Sequence, residues 1–195
     1  ILSEKDQLNE QLDKQIDALR NNFMIRLVKG EIKNHISIQD ACEKYNVYFD
    51  YDNFIIMLFF LDGASEFFSR QMNKENDNGK SFDIAKFIVQ NVVEELMNKS
   101  DRGYMVDMGD LFVCIGNFKE KDNARSLTNT ILYKSKMIIN DAFGIKFSVA
   151  VSSTYTSLEG IPVAYQEAIE AFEYNMIIGN KEIIFYSDIS VSDDA

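Results

Sequence analysis

The chain has 195 residues, enough for one domain of ordinary size with roughly 50 residues left for an appendage. Hydrophobic residues make up 46% of the chain, and it has only one proline and nine glycines, which excludes a disordered or multi-linker chain. A net charge of -11 would repel a phosphate backbone and argues against direct contact with nucleic acid.

The residue inventory also argues against a metal site, a cofactor or a membrane span. Two distant cysteines, Cys42 and Cys114, and one histidine, His35, cannot form a zinc site. We expect Cys114 to be a buried free thiol in a reducing, cytoplasmic setting, and His35 to lie in a solvated loop. The longest apolar run, residues 54–61, is far shorter than the ~20 residues of a membrane-spanning helix. Three glutamates on one predicted helix are interpreted as a solvated side: Glu167, Glu170 and Glu173.

Residues 1–30 are predicted to form a long signalling and dimerisation helix that ends at Gly30. Apolar residues recur every three or four positions, at Leu8, Leu12, Ile16, Leu19, Phe23 and Leu27. The spacing of the first four is typical of a short coiled coil and predicts a homodimer, whereas Phe23 and Leu27 are expected to pack within the chain. The alternative is that the whole helix folds back onto its own domain.

Residues 31–52 are predicted to be a short helical linker. A helix is expected to start at Ser37, because its hydroxyl can cap the first turn and Asp40 follows three residues later.

Residues 53–189 show the pattern of an α/β domain, followed by a linker at 190–195. Strands are predicted at 54–61, 103–107, 111–118, 147–151 and 183–186. Helices are predicted at 81–98, 122–143 and 161–178, with Gly144 ending the second and Pro162 in the first turn of the third. The first of these helices has an apolar stripe of Ile84, Phe87, Ile88, Val92, Val93 and Leu96, and the second has one that includes Met137 and Ile138. This order predicts an α/β (α+β) sandwich, in which helices flank a mixed sheet with a central first strand.

A short turn joins the second and third predicted strands. It consists of Met108, Gly109, Asp110, Leu111 and Phe112. A Gly-Asp pair between two apolar runs is typical of a hairpin, and we interpret Asp110 as a tight-turn residue.

The turn, the first strand, the strand at 147–151 and the Gly-Asn pair after the last helix together resemble the GGDEF domain, the fold of diguanylate cyclases. The resemblance covers about residues 50–188 and implies a nucleotide-cyclase-like mixed sheet. In that family, carboxylates from the end of the first strand and from the signature glutamate hold two divalent ions, which neutralise the triphosphate and activate the attacking 3′-hydroxyl.

The chain departs from the family at the positions that carry this chemistry. Leu111 takes the place of the signature glutamate, Phe60 that of the first-strand metal ligand, and Met108 that of the first signature glycine. The resemblance therefore implies a degenerate domain that is not an enzyme, with no catalytic, metal-binding or cofactor-binding residues. Phe60, Leu111 and Phe112 are expected to form one apolar environment that disfavours phosphate.

Four further segments, FMIRLVKG at 23–30, NVVEEL at 91–96, GIPVAYQEA at 160–168 and IFYSDI at 184–189, resemble the large AraC-type transcriptional regulators of Gram-positive bacteria. Those proteins carry a degenerate GGDEF-like middle domain between an N-terminal sensor and a C-terminal pair of helix-turn-helix units. The resemblance implies that the DNA-binding part lies beyond Ala195, and that the parent protein can be anchored in the plasma membrane by upstream transmembrane helices. Because the chain starts at Ile1, we expect it to be a piece of that longer protein.

The leading hypothesis is a non-catalytic signal-relay domain that couples an upstream sensor to a downstream helix-turn-helix domain. It would form a homodimer through its first helix and contact DNA only through the downstream part. The alternative is a small-molecule or nucleotide-sensing domain on a degenerate cyclase fold.

Overall fold

The structure, a computed structural model, describes residues 3–32, 35–63, 78–179 and 181–190. The chain divides into two compact units, Ile1–Phe49 and Asp50–Ala195. The first is helical and the second is the α/β domain.

The first unit begins with helix α1, Glu4–Val28. Ser3 caps it through a capping box, in which the Ser3 hydroxyl accepts from the Asp6 backbone N–H and the Asp6 carboxylate accepts from the Ser3 N–H. The helix ends at Val28, and Gly30 follows with a φ of +71°. The predicted extent of this helix is confirmed.

The last turns of α1 are buried, unlike the turns before them. Phe23 and Leu27 are among the buried residues, and the Phe23 ring lies 5.8 Å from the Tyr45 ring. Arg20 adds a bond from its Nε to the Tyr45 carbonyl oxygen at 2.9 Å. The expectation that Phe23 and Leu27 pack within the chain is confirmed.

Helix α2 spans His35–Lys44, so the prediction that it starts at Ser37 is wrong. Ser37 lies inside the helix rather than at its start, and His35 is helical instead of lying in a loop. The helix extends upstream because no glycine or proline precedes Ser37 closely enough to stop it.

The second unit alternates strands and helices. In chain order it contains β1 Asn53–Leu61, α3 Asn78–Met97, β2 Arg102–Asp107, β3 Phe112–Phe118, α4 Lys121–Phe143, β4 Phe147–Val151, β5 Tyr155–Thr156, a 3₁₀ turn Leu158–Gly160, α5 Ile161–Ile178, β6 Ile183–Phe185 and α6 Tyr186–Ser190. The predicted elements are confirmed within a few residues. The sequence prediction omitted β5, the 3₁₀ turn and α6, and Tyr186 begins α6 instead of ending β6. None of the described helices has both the length and the apolar character needed to cross a bilayer.

The strands form one mixed sheet in the order β2-β3-β1-β4-β6, with β5 paired to the start of β1. β1 is antiparallel to β3 and β4, and β4 is parallel to β6. The predicted mixed sheet with a central first strand is confirmed.

Helices cover the sheet on both faces. Successive side chains of β1 alternate between the faces, and α3 and α4 cover the face that carries Ile55, Met57, Phe59 and Leu61. Helix α5 covers the other face with three fully buried alanines, Ala164, Ala168 and Ala171. Small side chains allow α5 to approach the sheet closely.

Two predicted helical stripes are partly wrong. On α3, Ile84 and Phe87 are 50% and 66% exposed, while the buried line is Ala85, Val89, Val93 and Met97. On α4, Met137 and Ile138 are exposed. The prediction selected large apolar side chains, but side-chain size does not identify the buried face, since α3 and α4 carry such side chains on their exposed faces too. Gly144 ends α4 with a φ of +68°, as predicted.

Candidate functional site

The turn between β2 and β3 is a tight hairpin. The Met108 N–H donates to the Leu111 carbonyl oxygen at 3.0 Å, so Gly109 and Asp110 are the two central residues. Gly109 has a φ of +88°. A left-handed first central residue is typical of a type II′ turn, where glycine is preferred. The prediction that Asp110 is a turn residue is confirmed.

A buried lysine of α3, Lys86, bonds to this turn and holds it in place. Lys86 Nζ lies 2.9 Å from each carboxylate oxygen of Asp107 and 3.2 Å from the Gly109 carbonyl oxygen. The Asp107 carboxylate also accepts a bond from the Gly109 N–H at 3.0 Å. Sequence reasoning missed Lys86. The sequence did place Lys86 directly after Ala85, a residue on the buried side of α3. Because a buried lysine almost always has a partner, this position indicated that an acidic residue lies nearby.

Phe112 is part of the domain core. It is fully buried, and its ring stacks on the Phe59 ring with 5.0 Å between centroids and an interplanar angle of 7°. The two residues are also register partners across β1 and β3, so both face α3 and α4.

Phe60 lies on the opposite face of the sheet. Its ring is 5.5 Å from the Phe172 ring of α5, and it borders a cleft of about 350 Å³. The expectation that Phe60, Leu111 and Phe112 form one apolar environment is therefore wrong. Adjacent residues of β1 alternate between faces, and Phe112 is paired with Phe59 rather than with Phe60.

The Phe60 cleft offers little for holding a metal ion. Of the residues that the structure describes, Asp62 is the one acidic residue that lines it. Across the described part of the chain, no group of three or more His, Cys, Asp or Glu side chains is placed to hold an ion. Asn175, another lining residue, instead closes the loop after α5, because its side chain bonds both the carbonyl oxygen and the N–H of Lys181, at 2.8 and 3.2 Å.

The cysteines are not activated. Burial raises the pKa of the fully buried Cys114 thiol far above its ordinary value, and it raises that of the half-buried Cys42 to about 11. Both thiols are protonated at neutral pH, which does not suit a nucleophile. The expectation that Cys114 is a buried free thiol is confirmed.

Glu167 is structural, so its assignment to a solvated helix side is wrong. Its carboxylate accepts from the Ser153 N–H at 2.8 Å and from the Tyr155 hydroxyl at 2.7 Å. Burial, together with the bond to Glu167, raises the pKa of Tyr155 to about 12. This group holds the loop after β4 on α5.

The predicted dimerisation residues all lie on the exposed part of α1. Leu8, Leu12, Ile16 and Leu19 are 58%, 48%, 44% and 53% exposed. Every described residue from Ser3 to Leu19 is exposed.

One family model and one curated protein match the chain. Residues 37–174 match the family model described as a GGDEF-like domain. The chain is 22% identical over 186 residues to the uncharacterized HTH-type transcriptional regulator YtdP of Bacillus subtilis (strain 168); the match covers 94% of the chain but only 23% of that protein.

Two solved structures are also similar. The GGDEF domain of DgcB from Caulobacter crescentus, in complex with c-di-GMP, has 13% identity and a TM-score of 0.49 over 69% of this chain and 78% of that one. The coiled coil and GGDEF domain of the same protein, also with c-di-GMP, has 11% identity and a TM-score of 0.49 over 94% of this chain and 100% of that one. Since the family model spans residues 37–174, well over half of the sequence, this chain belongs to the GGDEF-like domain family.

Proposed function

We propose that the chain is a non-catalytic signal-relay domain of an AraC-type transcriptional regulator, which couples an upstream sensor to a helix-turn-helix DNA-binding domain. The similarity to an HTH-type transcriptional regulator along 94% of the chain supports this proposal. The signal would enter through paired α1 helices in a homodimer, and the chain would contact DNA only through the downstream domain.

The positions that a cyclase needs for its metals support the absence of catalysis. The Leu111 side chain has no oxygen, and the Phe60 ring packs against Phe172. Two divalent ions that balance a triphosphate need several carboxylates converging on one point. Among the described residues that line the Phe60 cleft, Asp62 is the sole carboxylate, and one carboxylate cannot replace them.

We therefore expect no cyclic di-GMP when the chain is incubated with GTP and Mg²⁺ or Mn²⁺. Chromatography of the nucleotides after overnight incubation measures this, with a known diguanylate cyclase as the positive control. Product that accumulates in proportion to protein concentration would overturn the non-catalytic assignment.

The observation that carries the relay proposal is a clamp on the first residues of the α/β unit. Asn117 of β3 is fully buried. Its side-chain oxygen accepts from the Tyr51 N–H at 3.0 Å, and its amide nitrogen donates to the carbonyl oxygens of Tyr51 and Asn53 at 2.6 and 3.3 Å. We call residues 50–53 the junction segment.

Two further contacts strengthen this clamp. The Asn53 side chain donates to the Phe118 carbonyl oxygen at 3.1 Å, and Arg102 Nε lies 2.7 Å from an Asp50 carboxylate oxygen. The junction segment is thus bonded to β2 and β3 by backbone, amide and ion-pair contacts. A displacement of this segment would act directly on the hairpin that carries the signature turn.

The C-terminal end of the unit is anchored in a similar way. Arg125 of α4 forms an ion pair with Asp188 of α6 at 2.6 Å, and its guanidinium lies 4.6 Å from the centre of the Phe185 ring. Helix α6 directly follows edge strand β6, whereas the junction segment contacts the hairpin at the other edge of the sheet. The junction segment, the proposed input, and helix α6, the proposed output, therefore lie at opposite edges of the sheet.

The exposed part of α1 is suited to pair with an identical helix. With Leu12 and Leu19 at heptad position a, Leu8 falls at position d of the same seam. The flanking e and g positions between Leu8 and Leu19 are Asn9, Gln11, Ile16 and Ala18, none of them charged. Between Leu8 and Leu19, two parallel copies therefore bring no like charges together, despite the net charge of -11, although Gln15 takes the second d position and Lys5 lies at the preceding position a.

Replacing Leu12 by aspartate is expected to weaken the homodimer at least about a hundredfold, because each copy loses one buried leucine and gains a charge in the seam. Sedimentation equilibrium over a range of concentrations measures the change. Gln7→Asp is the matched control, since it adds the same charge at an outward-facing position, and it should leave the dimer nearly intact. Equal monomer fractions in the two variants would show that the dimer does not form through α1. The same conclusion would follow if the chain had equal monomer fractions with and without residues 1–20.

A further inference from the structure

A groove on the α4 side of the sheet has the size and lining of a small-molecule site. It has a volume of about 330 Å³ and lies between α4, the start of β4 and the residue before β6. Tyr133, Met137, Ile145 and Phe147 supply apolar surface, and Lys136 is the cation deepest among them. Known ligand pockets begin at about 300 Å³ and combine mostly apolar walls with a few polar groups.

The ammonium group of Lys136 is largely buried, but among the residues that the structure describes it has no close carboxylate partner. Its side chain is only 13% exposed, and its ammonium lies 4.4 Å from the centre of the Phe147 ring while donating to the Phe147 carbonyl oxygen. The nearest carboxylate oxygen belongs to Glu182, at 3.5 Å, and that side chain is 66% exposed. Charge-assisted bonds are normally about 2.7–2.9 Å long, so this ion pair is loose.

Lys86 provides an internal comparison. Its side chain is 9% exposed, but both carboxylate oxygens of Asp107 lie at 2.9 Å, and a carbonyl oxygen adds a third contact. Burial lowers the pKa of Lys136, and the attraction to Glu182 opposes that shift only in part. Asp141 and Lys146, which also line the groove, cancel in charge. The groove therefore has mostly apolar walls and one buried cation, Lys136, whose ion pair with Glu182 is weak.

We propose that this groove binds a small organic acid with an apolar body. The carboxylate of the ligand would take the place of Glu182 on the Lys136 ammonium, and its apolar part would lie against Tyr133 and Met137. The site shares no residue with the signature turn, so it goes beyond the relay function and gives the domain a chemical input of its own. Release of Glu182, which directly precedes β6, would place that input next to the strand that leads into α6.

The test uses 3-phenylpropionate as the probe and its uncharged amide, 3-phenylpropionamide, as the matched ligand control. Titration of the whole chain followed by ¹H–¹⁵N NMR gives both the affinity and the residues affected. We expect saturable shifts confined to α4, the start of β4 and Glu182. The carboxylate should bind at least about tenfold more tightly than the amide, because only the carboxylate can pair with the lysine.

Variants assign the binding to Lys136. Lys136→Met keeps the aliphatic stem and should weaken probe binding at least about tenfold, whereas Lys134→Met removes an exposed charge from the same helix and should leave binding unchanged. Glu182→Gln removes the competing carboxylate from the surface without disturbing the core, and it should tighten binding. Equal binding of acid and amide, or unaltered binding in Lys136→Met, would overturn the proposal. If Lys136→Met does not fold, unaltered or weaker binding in Glu182→Gln would overturn it instead.

Discussion

Replacing Phe112 by alanine is expected to lower the free energy of unfolding of the α/β unit by about 3–5 kcal/mol. Phe112 is fully buried and stacks on Phe59, so the change removes a large apolar side chain and leaves a cavity between β1, β3 and the helices above them. Urea-induced unfolding followed by circular dichroism measures the loss.

The control for this change is Phe87→Ala. Phe87 is 66% exposed on α3, so its removal should alter the free energy of unfolding by no more than about 0.5 kcal/mol. Equal losses in the two variants would contradict the core position of Phe112. The expected difference also gives a reason for the phenylalanine that ends the signature-like turn, because a buried Phe112 stabilises the fold.

Replacing Asn117 by alanine is expected to cost about 2–3 kcal/mol of unfolding free energy. The side chain is fully buried and makes three hydrogen bonds to the backbone of Tyr51 and Asn53. Its removal leaves partly buried N–H and carbonyl groups of the junction segment without their partner, and water cannot replace all of these bonds.

Asn123→Ala is the matched control for Asn117. Asn123 is exposed on α4, and its amide bonds only the neighbouring Glu120, at 2.7 Å. Its loss should change the free energy of unfolding by about 0.5 kcal/mol or less. If Asn117→Ala proves as mild as this control in urea unfolding, the clamp does not hold the junction segment.

The sequence alone predicted the helices and strands that are marked by residues within or directly beside them. Pro162 marks the start of α5, Gly144 marks the end of α4, and the apolar run of β1 indicates a central strand. Each of these follows from backbone conformation or from burial on both faces of a strand. The two-residue strand β5 gives no such signal, because its pairing with β1 depends on the tertiary fold.

The candidate site was harder to predict because it depends on strand register. A continuous apolar run hides which residues share a face, so nothing in the sequence places Phe59 opposite Phe112 and Phe60 on the other side. Asn117 was a signal that could have been used, since an asparagine in a fully buried strand needs hydrogen-bonding partners. Lys86 was obscured by the large apolar residues beside it on α3.

In the proposed relay, pairing of α1 is transmitted through the junction segment to the α/β unit. Hydrogen exchange of the chain and of its Leu12→Asp and Gln7→Asp variants, followed by mass spectrometry, tests this most directly. The proposed relay predicts that amides of residues 50–52 and of α6 exchange faster in the monomeric Leu12→Asp variant, while residues 54–61 of β1 are unchanged and Gln7→Asp resembles the parent chain. A monomeric Leu12→Asp variant with unaltered exchange in both segments would contradict the account.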